Sequence, residues 1–369
     1  MLTKRQNLME TIKGGKPDRF VNQYEFLEII MEAPLRTRPK PGETITNEWG
    51  ITYSWPKDQL GAFPVHDEAH LLLKDITRWR ETVKAPSVEF SDERWAPAVA
   101  HADAVDRKDK FVTVFFASGT FEMTHMLMGM EAAMMNLYEE PEYMHELIDF
   151  LTDYEMRYAE QIIQRIKPDA LFHHDDWGGQ IASFMSPDMF AEFFLEPYKK
   201  MYGFWKQNGI ELIVHHSDSY AANLVPHMID MGIDIWQGVM TTNNTPELIK
   251  QYGGKISFMG EIDSGVVDCR DWKPEIIAEH VQKACTSCGK HYFIPCLTQG
   301  LNLSSFPGVY EATSRAIEEM SKNCFKPSLT GRAWRKPPGP ASNGARGLLS
   351  GNPPFESEAA SSLNTGSWA

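Results

Sequence analysis

The sequence predicts an α/β protein, a (β/α)8 TIM barrel with an inserted N-terminal hairpin or lid. Three observations carry this. Short apolar, β-rich runs recur along the chain at FVNQY (20–24), FVTVFF (111–116), ALFHH (170–174), ELIVHH (211–216), DIWQG (234–238), ISFMG (256–260) and YFIPC (292–296). Each has the length of a buried parallel strand, and helical segments separate most of them. Finally, no GxxxxGK[ST] loop occurs and no Gly-rich dinucleotide fingerprint follows the first run, which disfavours the alternative, an open doubly wound sheet.

The elements follow in order. Pro141 to Ile166 places Met144, Leu147, Ile148 and Leu151 on one helical face. Ser186-Pro187-Asp188 reads as a helix start, with Ser186 as N-cap and Pro187 in the first helical position. Further helices are expected near 219–230, 246–251, 274–286 and 309–323. Residues 41–66 look like the inserted hairpin, a lid over one barrel end. The last 44 residues, 326–369, hold 6 Gly, 6 Pro and 7 Ser with no helical or strand period. Such a segment buries too little apolar surface to offset its ordering entropy. It reads as a disordered tail behind a single barrel domain, 1–325.

Composition narrows the function. Thirty-six basic residues against 50 acidic ones give 369 residues a formal charge of −14. That is a poor match to phosphate backbones or anionic lipid, so neither nucleic acid nor a membrane is expected as partner. No stretch approaches the roughly 20 apolar residues of a membrane span. The N-terminal MLTKRQNLMETIKGG lacks an apolar signal core. The cysteines number five, an odd count unlike a disulfide framework. Together these lead to the expectation of a cytoplasmic protein.

Polar residues collect where the predicted strands end, which in a parallel barrel is one face, the face of active sites. The first run ends in Tyr24-Glu25. The third ends in His173-His174-Asp175-Asp176-Trp177, the fourth in His215-His216-Ser217-Asp218, the sixth in Gly260-Glu261-Ile262-Asp263 and the seventh in Cys296. His216 and Asp218, two apart on an extended end, point the same way. With Cys296 and Glu261 they make a ligand set that zinc accepts. The alternative is a hydrogen-bonded His–Asp pair beside a buried apolar cysteine. His173-His174-Asp175-Asp176 offers a second metal site, an acid–base pair or a polar rim. Glu25, His174, Asp175 and His215 are the candidate catalytic groups. Tyr24, Phe116, Trp177, Tyr220 and Gln237 are the candidate substrate-binding ones. Cys285-x-x-Cys288 is a lone pair at a helix end, more consistent with packing than with metal or redox chemistry.

The stretches DDWGGQIASFMSPDMFAEFFLEPYKKMYGFWKQNGI (175–210), VHHSDSYAANLVPHMIDMGIDIWQGV (214–239) and FMGEID (258–263) carry a family resemblance. Over about residues 3–323 the chain resembles the uroporphyrinogen decarboxylase superfamily. Decarboxylases of that family hold an acidic tetrapyrrole through an Arg-rich N-terminal segment, whereas DRFVNQYEFLEIIMEAP has only Arg19. The resemblance therefore points to the branch of corrinoid-dependent zinc methyltransferases and O-demethylases. It implies Zn2+, and cobalamin supplied by a partner corrinoid protein. Matched to the thiol-methylating members, His216 stands at their zinc histidine, Cys296 at their distant cysteine and Asp218 where they carry cysteine. That change implies a harder site, suited to an oxygen-bound methyl donor such as a methoxylated aromatic. A decarboxylase for another acidic substrate and a methylcobamide:thiol methyltransferase are the competing readings.

Overall fold

The computed structural model describes residues 1–325 apart from 33, 35–38, 58 and 60. The expected tail, 326–369, lies outside the described residues. The strands are β1 (Leu27–Ile30), β2 (Thr44–Thr46), β3 (Thr52–Ser54), β4 (Phe63–Pro64), β5 (Phe111–Phe116), β6 (Ala170–His174), β7 (Leu212–His216), β8 (Ile235–Val239), β9 (Ser257–Ile262) and β10 (Phe293–Leu297). Seven of them form one parallel sheet in the order β1-β5-β6-β7-β8-β9-β10. Neighbours in sequence are neighbours in space, with helices between, and the sheet curls into a TIM-barrel-like α/β fold.

Six of the seven apolar runs coincide with these strands to within two residues. The first does not. Residues 20–24 are irregular, and the strand begins three residues later, at Leu27. The polar stretch Asn22-Gln23-Tyr24-Glu25 turns instead. Gln23 takes a positive φ of 49°, and turn hydrogen bonds run from Glu25 N–H to Asn22 O and from Leu27 N–H to Tyr24 O. The segment still serves the sheet. Gln23 N–H donates to Pro295 O, and its side-chain oxygen accepts from Leu297 N–H, so it borders β10 at the seam of the curled sheet.

Strands β6, β7, β8 and β10 are buried along their whole length. Side chains alternate between two apolar layers, as strand geometry requires. Leu171 and Ile213 join the layer under the helices, with Leu147, Leu151 and Tyr202. Phe172 and Val214 join the barrel interior, with Tyr24, Met259, Ile294 and Cys296.

The 41–66 insertion is a three-stranded antiparallel sheet, β2-β3-β4. It rests on helices Thr120–Met128 and Pro141–Ile166. Trp49 packs edge-on against Tyr154 at 4.6 Å, and Tyr53 O–H donates to the Met126 sulfur at 3.2 Å. The helix start at Ser186-Pro187 is as expected, with Ser186 Oγ accepting from Met189 N–H. A π-helical stretch, Ala191–Leu195, then leads into Glu196–Gln207, and Tyr198 and Tyr202 are buried beneath it. Among the described residues no helix is long and apolar enough to cross a membrane.

Candidate metal centre at the ends of β6 and β7

β6 and β7 each end in two histidines, and their register pairs His173 with His215 and His174 with His216. Strand alternation sends the two pairs to opposite faces. His173 and His215 face the helices, with ring centroids 5.7 Å apart. His174 and His216 face the barrel interior, stacked at 4.6 Å.

On the inner face Asp176 completes a group. The ligand atoms of His174, Asp176 and His216 lie within 4.8 Å of one another, and all three residues are buried. Both rings are held from behind. His174 Nδ1 is 3.1 Å from Glu122 Oε2, and His216 Nδ1 meets Gln237 Oε1. The orientation of the Gln237 amide follows from its Nε2, which points at three carbonyls, those of Leu297, Thr298 and Gln299. An amide oxygen only accepts, so His216 carries its proton on Nδ1. Its Nε2 is then the lone-pair nitrogen, buried and without a hydrogen-bond partner. Asp176 is similar. One carboxylate oxygen accepts Asp218 N–H at 3.1 Å, and the other is buried without a partner.

A buried lone-pair nitrogen and a buried carboxylate oxygen left unsatisfied are costly unless something binds them. Burial, reinforced by neighbouring His174, lowers the His216 pKa to about 4, so its ring is neutral and ready to coordinate. Histidines held through Nδ1 by a carboxylate or amide are the usual outer support of a metal site. Two nitrogens and one carboxylate with a coordination position to spare match catalytic zinc. The residues present therefore fit a divalent ion such as Zn2+. Gly300 lies over the His216 ring, where a Cβ would come within 3.2 Å of it.

The other residues singled out from the sequence fall in several places. His174 and His216 are in the group. Asp218 is adjacent through its backbone, and burial with the nearby Asp176 charge raises its carboxyl well above the usual range. Cys296 is outside the group. Its thiol sits in the barrel interior near Gln237 and Tyr24, where burial keeps it protonated. Glu261 is also outside. With a φ of 67° it turns its carboxyl toward Thr245, at the start of helix Thr245–Tyr252. Glu25 lies elsewhere because β1 starts later than expected. It accepts from Asn22 N–H and pairs with Arg19 at 3.7 Å, near Lys4 and Asp109 where β5 begins.

Asp175 acts as a remote helix cap. Its two oxygens accept the N–H groups of Phe121 and Glu122 at 3.0 and 2.8 Å, and Tyr198 O–H donates to it as well. That anchors the first turn of Thr120–Met128, which carries Glu122. Both His215 nitrogens are occupied, by Tyr202 O–H at 2.8 Å and by the Asp175 carbonyl at 3.1 Å. Trp177 stacks on the far face of His215 at 3.9 Å and is fully buried. Phe116 stacks on His173 in the same outer layer, and its neighbour Phe115 approaches His174 instead. Gln237 orients His216, and Tyr24 O–H reaches Gln299 O at 3.3 Å. Tyr220 is half-buried and gives its N–H to Gly179 O. Cys285 and Cys288 are packed in the helix layer, where burial pushes the Cys288 thiol up to about 12. Glu122 is the residue sequence reading passed over. Its one signal is a lone carboxylate in the apolar run TFEMTHMLM.

Comparison with known proteins agrees with this architecture. The uroporphyrinogen decarboxylase (URO-D) family model matches residues 50–319, and the chain belongs to that family. Among solved structures it is similar to a methyltransferase from Methanosarcina mazei. The TM-score is 0.61 at 14% identity, over 87% of this chain and 99% of that one. At that identity the likeness is one of fold. No curated protein matches the chain.

Proposed function

We propose that this member of the URO-D family is a zinc-assisted methyltransferase, moving a methyl group from a small donor to the Co(I) of a partner corrinoid protein. The observation that carries the reading is the buried His174–Asp176–His216 group, with its rings held from behind and with His216 Nε2 and one Asp176 oxygen left without a partner. The similarity in fold to a methyltransferase supports it. A donor set of two imidazoles and a carboxylate is harder than a thiolate set, which favours an oxygen-bound methyl group such as that of a methoxylated aromatic. Zn2+ bound there supplies Lewis acidity to the donor oxygen.

The chain's own residues have separable tasks. Glu122 and Gln237 hold the two imidazoles with Nε2 forward. Phe115, between Phe172 and His174, offers an apolar wall to an aromatic ring. Gly300 leaves free the space beside His216 Nε2 that a Cβ would enter. Ile181, Phe184, Val266 and Leu303 are exposed large apolar residues on segments that follow β6, β9 and β10, the end of the sheet that carries the metal group. Such a rim suits the docking of a protein partner. The test is zinc quantitation together with a Co(I)-methylation assay across methoxyarenes, methylamines and methylthiols. The expected result is one zinc per chain and methyl transfer from a methoxyarene. The reading fails if the purified protein binds no zinc, or if none of these donors methylates the corrinoid.

A further inference from the structure

Behind the metal group, on the helix side of the sheet, lies a second polar network to which the proposed chemistry assigns no role. Glu155, His173, Tyr202 and His215 come from two helices and two strands, and all four are buried. His173 Nε2 is 3.4 Å from Glu155 Oε2, and His173 Nδ1 is 3.1 Å from the Tyr202 hydroxyl. That hydroxyl is 2.8 Å from His215 Nδ1, and His215 Nε2 is 3.1 Å from the Asp175 carbonyl oxygen.

The donors and acceptors leave one arrangement. A carbonyl only accepts, so His215 bears its proton on Nε2. Its Nδ1 must then accept the single Tyr202 proton. Tyr202 oxygen in turn accepts from His173 Nδ1–H. His173 Nε2 shares the remaining proton with Glu155. The network thus runs in one direction, from Glu155 to the Asp175 carbonyl. It ends on the residue between the ligands His174 and Asp176, and its last imidazole precedes the ligand His216.

We propose that Tyr202 is a positioning residue for the metal centre. Its hydroxyl locks His215 in the tautomer that grips the Asp175 carbonyl, which sets His174 and Asp176 against His216. The inference rests on the reading of His174, Asp176 and His216 as metal ligands. Metal sites depend on such outer support, and its loss typically weakens binding about 10-fold to 100-fold.

The measurement is zinc affinity by competition with a chromogenic chelator, paired with the visible spectrum of the Co2+-substituted protein. Tyr202→Phe should raise the zinc dissociation constant about tenfold and shift the Co2+ bands. Val281→Ala, a cavity in the outer layer between the last two helices, should lower stability with neither change. Should Tyr202→Phe not fold, Glu155→Gln and Glu155→Leu carry the same test. The amide of Gln can donate to His173 Nε2 and preserves zinc affinity, whereas Leu lowers it. Zinc affinity unchanged in Tyr202→Phe, equal loss in Tyr202→Phe and Val281→Ala, or equal behaviour of the two Glu155 variants overturns the proposal. His216→Ala separates the two claims. If it retains zinc, the metal reading itself falls. If it loses zinc while Tyr202→Phe does not, only the positioning role falls.

Discussion

Two histidine pairs stand one residue apart on the same two strands and meet opposite fates. His173 and His215 face the helices, where hydrogen bonds to Glu155, Tyr202 and the Asp175 carbonyl engage both nitrogens of each ring. His174 and His216 face the barrel interior. There one side of each ring is held, and a buried nitrogen of His216 and an oxygen of Asp176 have no partner. The residue type is the same and the burial nearly the same. The difference lies in whether the ring nitrogens are satisfied, because a buried lone pair without a partner is costly and favours binding of a water or an ion.

The largest effect that tests this contrast comes from exchanging the faces. His216→Ala should reduce bound zinc and methyl transfer by at least about 100-fold, with little loss of stability in the metal-free protein. His215→Ala should do the reverse in emphasis. It strands Tyr202 and the Asp175 carbonyl and costs about 3 kcal/mol in denaturant unfolding. Equal stability losses in the two metal-free variants would erase the distinction between the faces.

A smaller effect is expected with pH. His125, one turn beyond Glu122, has its pKa lowered from 6.5 to about 4, first by burial and then by His66. The unfolded chain therefore binds a proton there that the folded chain refuses. Stability rises with pH across that window, is complete above about 6.5, and drains away as pH falls toward about 4. Unfolding of His125→Asn followed over that range should show a shallower acid limb than wild type. An identical limb means that the ring is not buried as described.

The smallest effect sharpens the border of the site. Cys296 lies outside the group of three, so Cys296→Ala should keep the full zinc content and lose no more than about 1 kcal/mol. Loss of zinc by elemental analysis would restore the cysteine to the ligand set that the family resemblance implies.

Much of this was legible in the chain. The apolar runs marked β5 to β10 because parallel strands covered on both faces must be apolar throughout. The histidine clusters marked the strand ends at which the candidate metal group assembles. The misreading of the first strand came from a local conflict. FVNQY has strand-like residues, but its polar half closes a turn at Gln23, and the shorter Leu27–Ile30 pairs with β5. Glu25 consequently left the site. Glu261 left it through one residue's backbone angle. Asp176 stood in a motif that offered a metal site, an acid–base pair or a polar rim, and the choice stayed open because a spacing of two from His174 becomes meaningful only once a partner strand brings His216 beside it.

By itself the sequence determined the fold class, the strand ends where polar residues gather, and His174 and His216 as polar residues on buried strand ends. Those follow from local periodicity, and periodicity is written in consecutive residues. Only the tertiary structure decided that β6 and β7 pair in register, that Glu122 arrives from another helix to hold His174, and that Cys296 and Glu261 stay apart from the group. The pairing of β6 with β7 joins residues 42 positions apart and the Glu122–His174 contact residues 52 apart, so no local spacing encodes them.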